Sequence, residues 1–208
     1  MASAQTASIS ARDGGPRPVR QDNRRVQLLD AAAKFFSEHG FHGAAMRDIA
    51  RAAGMLSGSI YYHFDSKEEM LLAVYEEGLR RVEEMVDRAL VDATGPWGRL
   101  EAACGGHLNA LIIHRDYARV MIQTTPAESP GVDKRIRELR RGYESRFRNL
   151  IDDLALPPEI DRSYLRFLLF GALNWSQVWF RPGGDSPEIV AHRFIEMLRL
   201  PLDAAKSQ

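Results

Sequence analysis

Cysteine is nearly missing from this chain: Cys104 is the only one in 208 residues. A single thiol excludes an intrachain disulfide and suits a reducing compartment, so the cytoplasm is the expected location. Apolar runs are short as well. None approaches the roughly 20 residues that a membrane helix needs, and the opening MASAQTASIS lacks the apolar stretch of a secretory leader. Neither sign of charge is in excess, because Lys plus Arg and Asp plus Glu both number 28, so a polyanionic partner must be argued from where the charges sit. The alternation of strands is absent, and so are the G-x-S-x-G, P-loop, G-x-G-x-x-G and zinc spacings of common catalytic and nucleotide sites. Catalytic residues, a cofactor and a metal ion are therefore not expected.

What is present is 45% apolar residues, enough for a sizeable core, arranged with helical periodicity. Residues 1–21 are rich in Ala, Ser, Gly, Pro and Arg without periodicity and read as a disordered arm. From Arg24, Val26, Leu29, Ala33 and Phe36 recur on one face, with a stop at Gly40. MRDIARAAG makes a short second helix ended by Gly54, and Ser57 is placed to cap a third, SGSIYYHF. Ser66 and Glu69 form a capping box that opens a long fourth helix striped by Leu71, Val74, Val82, Met85 and Ala89. Breakers near 95, 126, 156 and 181 divide the remainder into further helices, one of them a basic helix over 132–154. The fold class is all-α, with about nine helices.

Two short helices joined by AAGML constitute a helix-turn-helix, whose second helix can lie in the major groove of DNA. The charge distribution agrees: through Lys67 there are nine basic residues against six acidic. Gly58 and Ser59 permit close approach; Tyr61, Tyr62 and His63 offer hydroxyl and imidazole groups; Ser66 and Lys67 present a helix N-terminus and a cation to a phosphate. Ile60 and Phe64, four apart, read as core.

MRDIARAAGMLSGSIYYHFDSKEEML resembles the DNA-binding signature of TetR-type bacterial transcriptional regulators over residues 24 to about 75. The resemblance implies a helix-turn-helix domain over 22–68 and a ligand-binding and dimerisation domain over 69–208. It also implies a homodimer on a palindromic double-stranded operator, released by a small molecule, with Arg47, Ser57, Gly58, Ser59, Tyr61, Tyr62, His63 and Lys67 contacting DNA. One departure is that Ala44 and Ala45 stand where the family usually has a capping Thr, which leaves Asp48 to support that helix start. GALNWSQVWFRPGG is similar to the penultimate helix and turn of the branch that senses CoA thioesters, which makes an acyl-CoA the expected inducer.

For that ligand, His107, Tyr117, Asn174 and Trp175 are the expected cavity residues, with Arg140 and Arg141 on phosphates; Arg137 and Arg148 belong to the same run, six arginines within RIRELRRGYESRFR. That run also reads as a solvated face. FLLFGAL is apolar all round and so reads as buried on more than one side; the resemblance implies dimerisation through the last two helices, which puts Phe170, Leu173 and Ile195 at the expected dimer interface, while a central core helix in a monomer is the other reading. Cys104, His107 and His114 fall on one helix, but packing explains them better than a metal. Two competing readings remain: a sensor of hydrophobic drugs, and an enzyme domain joined to a DNA-binding unit.

Overall fold

The computed structural model describes residues 18–124 and 131–205, and within them eight α-helices, one 3-10 helix and no strand. Most of the expected arm and the breaker over 125–130 lie outside the described residues. The first helix, α1 (Pro18–Gly43), begins earlier than the periodicity indicates, with the fixed φ of Pro18 at its first position. Gly40 breaks it as expected, with φ 69° inside the span. Then follow α2 (Met46–Ala52), the 3-10 helix (Ser59–Tyr62) and α3 (Lys67–Leu90). The C-terminal part holds α4 (Pro96–Ile113), α5 (Arg115–Gln123), α6 (Asp133–Asp152), α7 (Arg162–Trp179) and α8 (Pro187–Ala205), the last running through Pro201.

Two cores share α3. Its first turns bury Met70, Leu71 and Val74 with Leu28, Phe36, Ile49, Ile60 and Phe64 from α1, α2 and the recognition segment. Its later turns bury Val82 and Val86 with Leu108, Phe147, Leu169 and Ile195. The capping box starts α3 as the sequence indicates: Ser66 Oγ accepts from the Glu69 amide at 3.0 Å, and Glu69 Oε2 accepts from the Asp65 amide at 2.7 Å. Where α3 crosses α4, Gly106 lets the backbones meet, since a Cβ there would stand 2.7 Å from the Met85 carbonyl oxygen.

The junction between the cores is polar and specific. Tyr117 and Val120 of α5 belong to the N-terminal core. The Tyr117 hydroxyl donates to Asp30 of α1 at 2.8 Å, Arg81 of α3 reaches the same carboxylate at 3.0 Å, and Ser37 donates to Asp116 at 3.0 Å. Arg81 also lies 4.3 Å from the centroid of the Tyr117 ring. Glu77, which accepts from both Arg80 and Arg81, is held down to about 2, chiefly by the Arg80 hydrogen bond. A chain of charges thus runs from α1 through α3 to α5.

Candidate nucleic-acid interface and buried cavity

The turn between α2 and the recognition segment pivots on Gly54, whose φ of 68° an L side chain rarely adopts. The Met55 amide then returns to the Ala50 carbonyl at 2.8 Å. The recognition segment differs from the expected capped helix. Its regular part is a 3-10 helix over Ser59–Tyr62 preceded by Gly58, with no side-chain cap, so Ser57 does not close it. Ile60 and Phe64 are buried, as expected, and this turns Tyr61 and Tyr62 outward, the latter 90% exposed. A surface groove is lined by Arg24, Gln27, Leu56, Ser59, Tyr62 and His63. Arg24, Gln27 and Leu56 were not singled out from the sequence, because their meeting with Tyr62 depends on how α1 crosses the turn.

Arg47 is exposed beside this face, 3.8 Å from Asp48, which is also 3.4 Å from Arg51. The α2 start has Ala45 at its cap with no side-chain hydrogen bond, and Ala44 is buried. Lys67 makes contacts within the protein that the sequence did not indicate. Its ammonium donates to the carbonyls of Ala44 at 3.1 Å and His42 at 3.4 Å and stands 4.5 Å from the centroid of the Phe41 ring. A cation at the carbonyl end of α1 ties α3 to the reading unit.

In the C-terminal domain, α3 to α7 line a half-open cavity of about 200 Å³ walled by Tyr75, Val82, Leu111, Met121, Phe170 and the polar groups described next. His107 Nε2 donates to Asn174 Oδ1 at 3.2 Å, so Nδ1 is the acceptor of a hydrogen bond donated by the Tyr143 hydroxyl at 2.6 Å. Burial pulls His107 down to about 4 against the opposing pull of Asn174, and burial drives the Tyr143 phenol well above its ordinary value. Both are neutral at pH 7. His107, Tyr143, Phe147 and Phe170 pack as one aromatic group. Arg140 reaches the cavity from α6, donating to the Tyr75 hydroxyl at 3.3 Å and to the Met121 carbonyl at 3.1 Å. Glu144, also on the wall, is taken by Arg166.

Of the residues expected at the ligand, His107, Asn174 and Arg140 meet at this cavity, and Tyr117, Trp175 and Arg141 do not. Tyr117 is held at the α1 junction by Asp30. Arg141 points to solvent one position beyond Arg140. Trp175 is 64% exposed on the outer face of α7. The dimer expectation needs the converse correction. Leu173 and Ile195 are 0% and 1% exposed in the protomer's own core, and Phe170 stands on the cavity wall. The outward apolar stripe of α7 is Tyr164, Phe167, Leu168, Trp175 and Val178, with Ile189, Met197 and Leu200 exposed on α8. Phe170 and Trp175 thus exchange their expected places, because a helix apolar all round does not reveal its inward phase. Tyr75 and Tyr143 are cavity residues that sequence reasoning missed, for want of any local signal.

Cys104 is buried among apolar side chains, which pushes its thiol up, while His114 ends α4 near Arg81 and is pulled down mainly by burial. Among the described residues no three His, Cys, Asp or Glu side chains form a metal-holding group, and no helix is long and apolar enough to cross a membrane.

Residues 28–74 match the family described as "Bacterial regulatory proteins, tetR family", and residues 93–202 match "Tetracyclin repressor-like, C-terminal domain". The HTH-type transcriptional repressor KstR2 of Mycolicibacterium smegmatis is 30% identical over 190 residues, which are 87% of this chain and 91% of that protein. The chain belongs to the TetR family of transcriptional regulators. Solved TetR-type structures agree in fold. PfmR of Thermus thermophilus is 26% identical with a TM-score of 0.69, covering 82% of this chain and 95% of its own. AibR, solved with isovaleryl coenzyme A and operator DNA, is 24% identical with a TM-score of 0.67, covering 84% and 97%. In TetR terms the groove beside Tyr62 lies on the helix-turn-helix unit and the cavity lies in the C-terminal domain.

Proposed function

We propose that this TetR-family chain is a repressor that binds a palindromic operator as a homodimer and leaves it when an acyl-CoA thioester occupies the cavity. The carrying observation is the cavity itself: an apolar chamber with a neutral His107–Asn174–Tyr143 relay and the Arg140 guanidinium on its wall. A thioester carbonyl is an acceptor, and Arg140 and the Asn174 amide are the donors available to it. A volume of about 200 Å³ admits an acyl group and not a nucleotide. The nucleotide therefore stays outside, where the exposed Arg137, Arg141 and Arg148 of α6 can take its phosphates. The resemblance of LNWSQVWFRPGG to thioester-sensing relatives supports the same class, and AibR demonstrates that the fold accommodates a CoA thioester and operator DNA.

The domains are proposed at 22–68 and 69–208, and the N-terminal core also takes in the first turns of α3 and Tyr117 and Val120 of α5. DNA is contacted by Arg47, Ser57, Gly58, Ser59, Tyr61, Tyr62, His63 and Lys67. The second copy packs on the apolar stripe of α7 and α8, where Gly171 has open space around a built Cβ and so leaves room for a close helix crossing. Ligand in the cavity bears on α5 at Met121, and α5 bears on α1 through Tyr117 and Asp116, so spacing of the two reading heads follows occupancy.

The test titrates the protein–operator complex with short and cyclic acyl-CoA thioesters, the matching free acids, and CoA alone. Release by thioesters only supports the proposal. Release by free acids or unrelated hydrophobic compounds assigns the cavity to another ligand class, and hydrolysis of a thioester would mark an enzyme.

A further inference from the structure

We propose that Leu56 is a base-reading residue whose methyl groups pack on the C5-methyl of a thymine in the operator. The inference rests on the DNA-binding reading and adds to it a residue and the base that it selects. Leu56 is 82% exposed, and beside it only Tyr62 projects as far among the large apolar side chains of the reading unit. Met55 is half-buried against the N-terminal core at the edge of the groove, whereas Leu56, on the same groove with Arg24, Gln27, Ser59, Tyr62 and His63, stands almost wholly exposed. Its carbonyl accepts from the Ser59 amide at 2.8 Å, so Leu56 immediately precedes the recognition segment, the end that faces base edges in helix-turn-helix complexes.

The chemistry of the neighbours decides what such a side chain can do. Arg24, Gln27, Ser59, Tyr62 and His63 all carry polar groups suited to phosphates or to donors and acceptors on bases. Leu56 has none. A phosphate or a guanine edge offers an isobutyl group nothing, and on the major-groove edge of a base pair the apolar feature is the thymine methyl. Projecting into water, Leu56 contributes little to the fold; against that methyl it buries area and favours thymine over cytosine, which lacks it.

The full-length protein is allowed to enrich its binding sequence from a random pool of double-stranded DNA. Each thymine of that sequence is then replaced in turn by deoxyuridine, which pairs identically but lacks the methyl. For the unmodified protein one thymine in each half-site should weaken binding about fourfold on losing its methyl, the worth of burying one such group. Leu56→Ala should bind the thymine and uracil forms equally, at the weaker level, with an unchanged melting temperature. Uracil tolerated everywhere by the unmodified protein overturns the assignment, as does equal uracil sensitivity in Leu56→Ala. A pool that yields no preferred sequence instead overturns the DNA-binding reading, and the role of Leu56 with it.

Discussion

Tyr62 and His107 mark two ways of holding a functional group. Tyr62 is 90% exposed above a small core that closes beneath it with Ile60, Phe64 and Ile49, and nothing in that core needs the phenol. His107 is 4% exposed, hydrogen-bonded at both nitrogens and packed on three aromatic rings. In the reading unit, side chains that meet a partner are separable from those that hold the fold. In the cavity domain the side chains proposed to meet the ligand are the ones that hold the fold, so on that proposal recognition and stability are coupled there. The difference fits the proposed partners: a DNA backbone is met at a surface, whereas an acyl group is taken out of water.

The contrast breaks first at the core and the stripe of α7. Leu173→Asp places an unpaired charge in a dry core and should cost more than about 4 kcal/mol, seen as loss of the folded C-terminal domain by circular dichroism. Phe167→Glu, six residues earlier on the outward stripe, should leave the protomer folded and convert a dimer to a monomer in sedimentation. Equal unfolding by both would put the stripe in the core.

At His107 the coupling becomes a pH effect. Its folded-state value near 4 lies below the ordinary 6.5, so above 6.5 neither state gains a proton and stability is complete. Between about 6.5 and 4 the unfolded chain binds a proton that the folded chain refuses, and about 3 kcal/mol should be lost as pH falls through that window. Denaturant titrations across it should show the loss, and His107→Gln should remove this part of the slope. Phe170→Ala should cost about 3 kcal/mol at neutral pH and also alter the ligand response, since one ring serves both purposes.

A smaller effect is expected at the junction. Tyr117→Phe deletes the hydrogen bond to Asp30 and should lower stability by about 1 kcal/mol in thermal melts, with weaker ligand-driven release from DNA. The smallest stability effect belongs to the reading face. Arg47→Ala should stay within about 0.5 kcal/mol of the parent, yet make the salt dependence of operator binding shallower by about 0.9. A large stability loss at Arg47 would erase the distinction between the two regions.

Much of this protein is local and was therefore legible in the residues. The capping box at Ser66 and Glu69, the turn at Gly54, and the inward pair Ile60 and Phe64 depend on spacings within one or two turns, which the chain specifies directly. So do the helical class and the reading unit. The kind of helix at Ser59–Tyr62 was not legible, because the segment is too short for periodicity to separate 3-10 from α. Nor was the capture of Lys67 by the end of α1, a contact between residues far apart in the chain.

What only tertiary structure decided is phase and convergence. The amino-acid sequence by itself required that α7 be covered on two sides; it did not say that Phe170 faces His107 while Trp175 faces outward. Arg140 and Arg141 are adjacent and chemically equal in sequence, and only the docking of α6 against Tyr75 and Met121 admits one to the cavity and leaves the other in water. A helix turns about 100° per residue, so one position changes which neighbour a side chain meets, and that choice is made by packing between elements distant in the chain.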